Sequence, residues 1–179
     1  MGMTTMPNAS AKGLLKLSWP IFIELILQLL VGNMDQVQLS HFNSTAVAAV
    51  GNANTIITVV LLTFNVISLA AMILVSQYRG ANDLNSTNQI YTLSLLVNAG
   101  LSIFLAVVLL VFAQPIFSLM QVPAELMQEA CDYLRITAVA LPFQAIMLTF
   151  SAFLRAGAHM KVIMLITGFI NVCNIIGNA

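Results

Sequence analysis

The sequence predicts an all-α polytopic membrane protein with about five transmembrane helices. Composition, charge spacing and the side-to-side distribution of cations carry that expectation. Apolar residues make up 60% of the 179 positions and charged residues only 7%, against about 25% charged in a soluble domain. Mean hydropathy is +0.97. So few charges cannot cover a globular surface, and lipid must solvate the chain instead. No charged residue lies between Asp35 and Arg79 or between Asp83 and Glu125. Arg135 and Arg155 enclose 19 uncharged residues, and 18 follow Lys161. Each gap approaches or exceeds the roughly 20 apolar residues of a bilayer span.

Residues 1–13 are polar and small and read as a cytoplasmic N-terminal segment; 14–179 form the membrane part. The first span is expected over 14–40. Its apolar run is too long for a signal-peptide core and shows no small-residue cleavage site, so it reads as an uncleaved first helix. The second span, 46–77, follows the turn-rich His41-Phe42-Asn43-Ser44-Thr45. Arg79-Gly80-Ala81-Asn82-Asp83 separates it from the third, 88–113. The stretch from Gln114-Pro115 to Pro123 reads as a longer connection, with Ile116 to Met120 lying at the interface as a short amphipathic turn. The fourth span, 131–154, ends at Arg155-Ala156-Gly157-Ala158-His159, and the fifth occupies 161–179.

Alternation of five helices puts Lys12, Lys16, Arg79, Arg155 and Lys161 on one side and Arg135 alone on the other, beside Glu125, Glu129 and Asp132. By the positive-inside rule the N-terminus is cytoplasmic. The protein is then a multi-pass component of the cell inner (plasma) membrane. Ending at Asn178-Ala179 within an apolar run, the chain reads as the N-terminal portion of a longer protein. Net charge is zero, which gives no reason to expect a nucleic-acid partner. Cys131 and Cys173 fit neither a disulfide framework nor a zinc spacing. Cys131 is expected near a membrane surface and Cys173 well inside a span, so no bridge between them is expected.

Asp35 is the most informative residue. A carboxylate at membrane depth is rare unless it faces a water-filled cavity, an ion or a partner, so it marks a transport or proton pathway. Helical arithmetic places Glu24, Gln28, Asp35 and Gln38 of the first span within an arc of roughly 80°. Asn54, Thr58, Asn65 and Ser68 of the second span share a similar arc of about 80°. Thr167, Asn171, Asn174 and Asn178 of the fifth share about 60°. Two readings stand for such stripes: hydrogen bonding between packed helices, or the lining of a shared polar cavity. Only the first span adds carboxylates, and Glu24, nearer the cytoplasmic end, is the one that can simply reach the headgroups.

Several segments carry a family resemblance. Trp19-Pro20-Ile21, then Val31-Gly32-Asn33-Met34-Asp35, then Ala46-Val47-Ala48-Ala49-Val50-Gly51 resemble the start of multidrug and toxic compound extrusion (MATE) transporters. Ser76-Gln77-Tyr78-Arg79-Gly80-Ala81-Asn82-Asp83 is similar to that family's cytoplasmic loop after its second helix. Tyr133-Leu134-Arg135-Ile136, Phe153-Leu154-Arg155-Ala156-Gly157 and the Asn-rich fifth span are also similar. The resemblance runs from about residue 14 to the end, and the order and spacing of its pieces make it specific.

It implies two six-helix lobes in a twelve-helix transporter, of which this chain would be most of the N-terminal lobe. The missing C-terminal lobe would then be its partner. Asp35 matches the family's first-helix aspartate, tied to proton or sodium coupling, and Asn174 and Asn178 match the fifth-helix positions that face it. Some members carry an aspartate where this chain has Asn178, which leaves Asp35 as the carboxylate of the implied site and the coupling ion open. Gln28, Gln38, Asn54, Thr58, Asn65 and Asn171 would line the cavity. The expected function is multidrug efflux of small organic cations by antiport against protons or sodium, with sodium held at Asp35 and no cofactor.

One alternative is a truncated fragment that does not transport by itself, and two others stand beside it. A lipid-linked oligosaccharide flippase of related architecture would be expected to show cationic residues at depth to meet pyrophosphate. An intramembrane enzyme would need a His pair, a Ser/His arrangement or two facing aspartates, whereas His41 and His159 both fall in loops. The protein is therefore expected not to be an enzyme.

Overall fold

The computed structural model describes residues 18–19, 22–23, 26, 44–157 and 159–177. The long helices among them are α1 (Ser44–Gly80), α2 (Leu84–Leu119), α3 (Ala124–Ala156) and α4 (Met160–Gly177). They correspond to the second through fifth predicted spans. Residues 18–19, 22–23 and 26 are helical; the rest of the first predicted span lies outside the described residues. Among the described residues three helices, α1 to α3, are long and apolar enough to cross a membrane. The fold is all-α and of the polytopic membrane class.

The helices are longer and the connections shorter than the sequence suggests. The second predicted span, 46–77, is helical over 44–80, the third, 88–113, over 84–119, and the fourth, 131–154, over 124–156. The expected connection from Gln114 to Pro123 is helix through Leu119, so Ile116 to Met120 are the end of α2 and not an interfacial turn. Pro115 lies inside α2. A proline there removes one backbone hydrogen bond and kinks or breaks many helices. Here Ala113 and Phe117, both fully buried on either side of it, keep the helix on its bundle. Pro142 in α3 is likewise flanked by the fully buried Leu141 and Ala145.

The chain divides into two compact units, Gln36–Gly157 and a second made of Met1–Asp35 with Ala158–Ala179. In the first, α1, α2 and α3 form an up-down-up bundle. Its buried positions recur at spacings of three and four. On α1 they are Ala49, Ala53, Ile57, Val60, Phe64, Ser68, Ala71 and Val75; on α3 they are Ala130, Leu134, Ala138, Leu141, Ala145, Thr149 and Ala152, with Cys131 buried beside Ala130. This is the one-stripe pattern of a helix buried on a single face. Many of these residues are alanine. In lipid, where no hydrophobic force drives helices together, small side chains let backbones approach and gain dispersion contact. The opposite faces carry exposed Val59, Leu62, Val66, Leu93, Ile103, Phe104, Ile136 and Phe143, side chains suited to acyl chains. Large residues outside and small ones inside is the reverse of a soluble core.

The connections are tightly capped. Asn82 takes a left-handed φ of 58° and Gln121 one of 57°; Asn tolerates that conformation better than most residues. Asp83 caps α2: the Ser86 N–H donates to its Oδ1 at 3.0 Å and the Ser86 hydroxyl to its Oδ2 at 2.6 Å. At the same end of the bundle Tyr91 of α2 packs edge-on against Phe153 of α3, with centroids 4.5 Å apart. In the second unit, the Trp19 and Phe22 rings lie 6.0 Å apart, and α4 contributes 18 residues. Both cysteines are free thiols, Cys131 buried and Cys173 exposed.

Candidate functional site

An amide or hydroxyl inside an apolar helix must find a partner, because lipid offers none. Short side chains often solve this locally. Thr58 Oγ1 donates to the Asn54 carbonyl one turn back at 2.7 Å, and Asn65 Nδ2 donates to the Leu61 carbonyl at 3.0 Å. Both side chains are exposed on α1. Asn54 is half-buried and reaches α3, where the Tyr133 hydroxyl donates to its Oδ1 at 3.4 Å. Ser68 is only 4% exposed and faces the other helices. Residues of one predicted arc thus meet three environments.

At the Ser68 level the three helices are tied together. Asn98 of α2 is fully buried. Its Nδ2 donates to Ser68 Oγ of α1 at 2.9 Å and to Thr149 Oγ1 of α3 at 2.8 Å. The Thr149 hydroxyl in turn donates to the Ala145 carbonyl at 2.8 Å. Asn98 Oδ1 finds no donor among the described residues. Sequence reasoning singled out Ser68 but missed Asn98 and Thr149. The available signal was the run Leu95-Leu96-Val97-Asn98-Ala99, where one amide interrupts an apolar stretch, with Ser94 and Ser102 one turn either side.

The cross-helix pairs also give helix direction. Asn54 meets Tyr133 and Ser68 shares Asn98 with Thr149, so α1 and α3 rise together; Tyr91 of α2 meets Phe153, so α2 runs against both. Between α1 and α3 lies a pocket of about 110 Å³. Asn65, Ser68, Ser151 and Arg155 give it polar walls, and Leu69 and Met72 apolar ones.

Of the residues expected to carry coupling, Asp35 and Asn178 lie outside the described residues, as do Glu24, Gln28 and Gln38 of the first span. Positions 167, 171 and 174 fall within the continuous helix α4, whose turn keeps them on one side. The described structure therefore brings Asn54 and Ser68 into inter-helix contacts and leaves Thr58 and Asn65 bonded to their own helix. Among the described residues, no group of three His, Cys, Asp or Glu gathers to hold a metal.

Comparison with known proteins adds the family context. A family model, MatE, matches residues 20–179. The "Uncharacterized transporter YisQ" of Bacillus subtilis (strain 168) is 32% identical over 172 residues, covering 96% of this chain and 38% of that protein. The "Probable multidrug resistance protein NorM" of Thermotoga maritima is 30% identical over 172 residues, covering 92% of this chain and 35% of that one. The chain thus spans little more than a third of the length of these relatives.

Proposed function

Because this chain belongs to the MatE family, we propose that it forms the N-terminal part of a transporter that exports small organic cations in exchange for protons or sodium. The observation that carries the proposal is Asp35, an aspartate set in the first apolar run of a chain that matches the family from residue 20 onward. The similarity to a probable multidrug resistance protein of Thermotoga maritima supports small organic compounds as the substrate class. Plasma-membrane location, a cytoplasmic N-terminus and the absence of enzymatic chemistry belong to the same proposal.

The physical logic is simple. A buried carboxylate is costly to leave charged and unpaired. Binding a proton or Na⁺ removes that charge and changes which helix packing is favoured. Asn171, Asn174 and Asn178 would offer oxygen ligands for sodium or hydrogen bonds for the protonated acid, and Gln28, Gln38, Asn54, Thr58 and Asn65 would wet the cavity. If cation and drug stabilise opposite states, each expels the other, with a coupling free energy shared by both sites.

The test is Asp35→Asn in the full-length transporter, with expression and efflux measured together. The substitution keeps size and most hydrogen bonding but removes the titratable charge. The expected outcome is loss of cation-driven efflux with drug binding retained, while Glu24→Gln has a smaller effect. Normal efflux by normally expressed Asp35→Asn protein would refute the coupling role.

A further inference from the structure

We propose that the groove between α1 and α3 is a water site, filled in the membrane by a small ordered cluster whose innermost molecule bridges the Ser68 hydroxyl to Asn98 Oδ1. The proposal does not depend on the export reaction. It begins from hydrogen-bonding capacity left over at the Asn98 knot. Asn98 is fully buried. Both N–H groups of its amide are used, on Ser68 at 2.9 Å and on Thr149 at 2.8 Å, yet its Oδ1 meets no donor among the described residues. Ser68 Oγ accepts from that amide, and its own proton reaches no acceptor among the described residues. The Ser68 side chain is 4% exposed and lines the pocket. Turning the amide over does not cure the deficit. It would let Ser68 donate to Oδ1 but leave two amide N–H groups without acceptors. A molecule that both accepts and donates satisfies both atoms at once. Two hydrogen bonds of about 2.8 Å each span the distance from a hydroxyl to the far side of the amide it touches, and buried polar groups short of a protein partner are where structural waters sit.

The rest of the groove continues the pattern. Asn65 uses one amide N–H on the Leu61 carbonyl and keeps the other, together with its Oδ1. The Ser151 hydroxyl, half-buried on the facing wall, reaches no partner among the described residues. Arg155 also lines the pocket but already has a partner, so no free charge is there to choose an ion. Unused donors and acceptors side by side select a small neutral molecule that serves both. The pocket volume of about 110 Å³ holds roughly three waters at ~30 Å³ each. Depth makes that hydration informative. Ser68 lies about 18 Å along α1 from Gly80, and Asn98 about 21 Å along α2 from Leu84. Helices of 37 and 36 residues overhang a ~30 Å hydrocarbon core by about 12 Å at each end. The inner end of the cluster is therefore about 6–9 Å inside the hydrocarbon, whereas Arg155, in the last turn of α3, lies level with the headgroups. Lipid offers no hydrogen bonds at the inner depth, so waters entering from the Arg155 end wet a seam that acyl chains cannot satisfy.

The test is X-ray hydroxyl-radical footprinting of the full chain in lipid nanodiscs. Radicals formed from waters held against the protein oxidise the side chains beside them, and a methionine thioether is a ready target. Met72, half-buried in the groove wall, should be oxidised several-fold faster than Met147, which is 45% exposed but outside the groove. The two lie at similar depth, about 12 Å from the end of α1 and about 14 Å from the end of α3. The contrast should persist in frozen samples, where radicals no longer diffuse in from bulk water. Ser68→Val puts a methyl group where the inner hydroxyl stands and should lower the Met72 rate several-fold. Ser151→Ala, which removes one half-buried hydroxyl, should lower it by a smaller factor. A Met72 rate no faster than that of Met147, as an acyl chain or another helix in the groove would give, would overturn the proposal. So would a contrast that vanishes on freezing, which would make the groove open to solvent without ordered water, or a Met72 rate unchanged in both variants. Should Ser68→Val fail to fold, Ser151→Ala decides the outcome.

Discussion

Asp83 shows how much one side chain does where α1 turns into α2. The first backbone N–H groups of a helix have no intrahelical partner, and Asp83 Oδ1 takes one of them from Ser86. The Ser86 hydroxyl occupies its other oxygen, and the Thr87 hydroxyl donates to its carbonyl at 2.7 Å. Bonding to the Ser86 side chain first, and to its backbone second, holds the Asp83 carboxyl below the usual carboxylate range. Because the folded value is depressed, the contribution is complete above the ordinary carboxylate value of 3.8. It is lost as pH falls through the lower folded one. Asp83→Asn should keep the cap acceptor but flatten this acid limb of stability, and Asp83→Ala should lower the unfolding midpoint at neutral pH as well. Thermal unfolding of the three proteins between pH 3 and pH 7 reads both effects; an acid limb of wild-type steepness in Asp83→Asn would assign it to another group. The cap was legible as turn chemistry in Arg79-Gly80-Ala81-Asn82-Asp83, because Asn and Asp have specific local backbone roles. The residues of Asp83's own cap lie next to it in sequence, which is why sequence suffices there.

Across elements, legibility depends on what lies opposite. Periodicity put Asn54, Thr58, Asn65 and Ser68 on one arc of α1, and that arc exists. It does not reveal that Ser68 meets α2 while Thr58 and Asn65 fold back on their own carbonyls, because an arc of about 80° spans both a buried seam and its exposed edge. The helix ends were misjudged for a related reason. Gln114-Pro115 and Pro123 signal a break, but burial of Ala113 and Phe117 decides the matter, and burial is a property of the bundle. The Asn98 knot is the clearest element-scale consequence. With it, α1, α2 and α3 share one register; without it, alanine-lined seams can slide with little penalty. Asn98→Ala should destabilise the bundle by about 1–2 kcal/mol, two lost inter-helix hydrogen bonds at membrane strength plus a small cavity. Asn98→Asp should cost more, since it removes the amide donors and buries a carboxylate beside two hydroxyls. Unfolding in a denaturing detergent, with each variant normalised to its expression, measures both. Wild-type stability in Asn98→Ala would mean that the alanine seams alone fix the register.

At the scale of the molecule, the sequence and the described helices meet on one question, which way the bundle lies in the membrane. The up-down-up order of α1 to α3 puts the connection around Asn82 at one end and the connection before Ala124 at the other. The first end carries Arg79 and, in the last turn of α3, Arg155. The second carries Glu125, Glu129 and an exposed Asp132–Arg135 pair at 3.8 Å, worth little to stability but acidic on balance. The positive-inside rule then makes the Asn82 end cytoplasmic. Both positions are exposed, so each can report. In a background where Cys131 and Cys173 are replaced by alanine, a cysteine at position 125 should react with a membrane-impermeant maleimide added to intact cells. One at position 82 should react only after permeabilisation. The difference should be near all-or-none, because the two positions are separated by a helix of 36 residues, about 54 Å, more than the whole bilayer. Reaction of position 82 from outside would invert the bundle, and Arg79 and Arg155 would then face the wrong side.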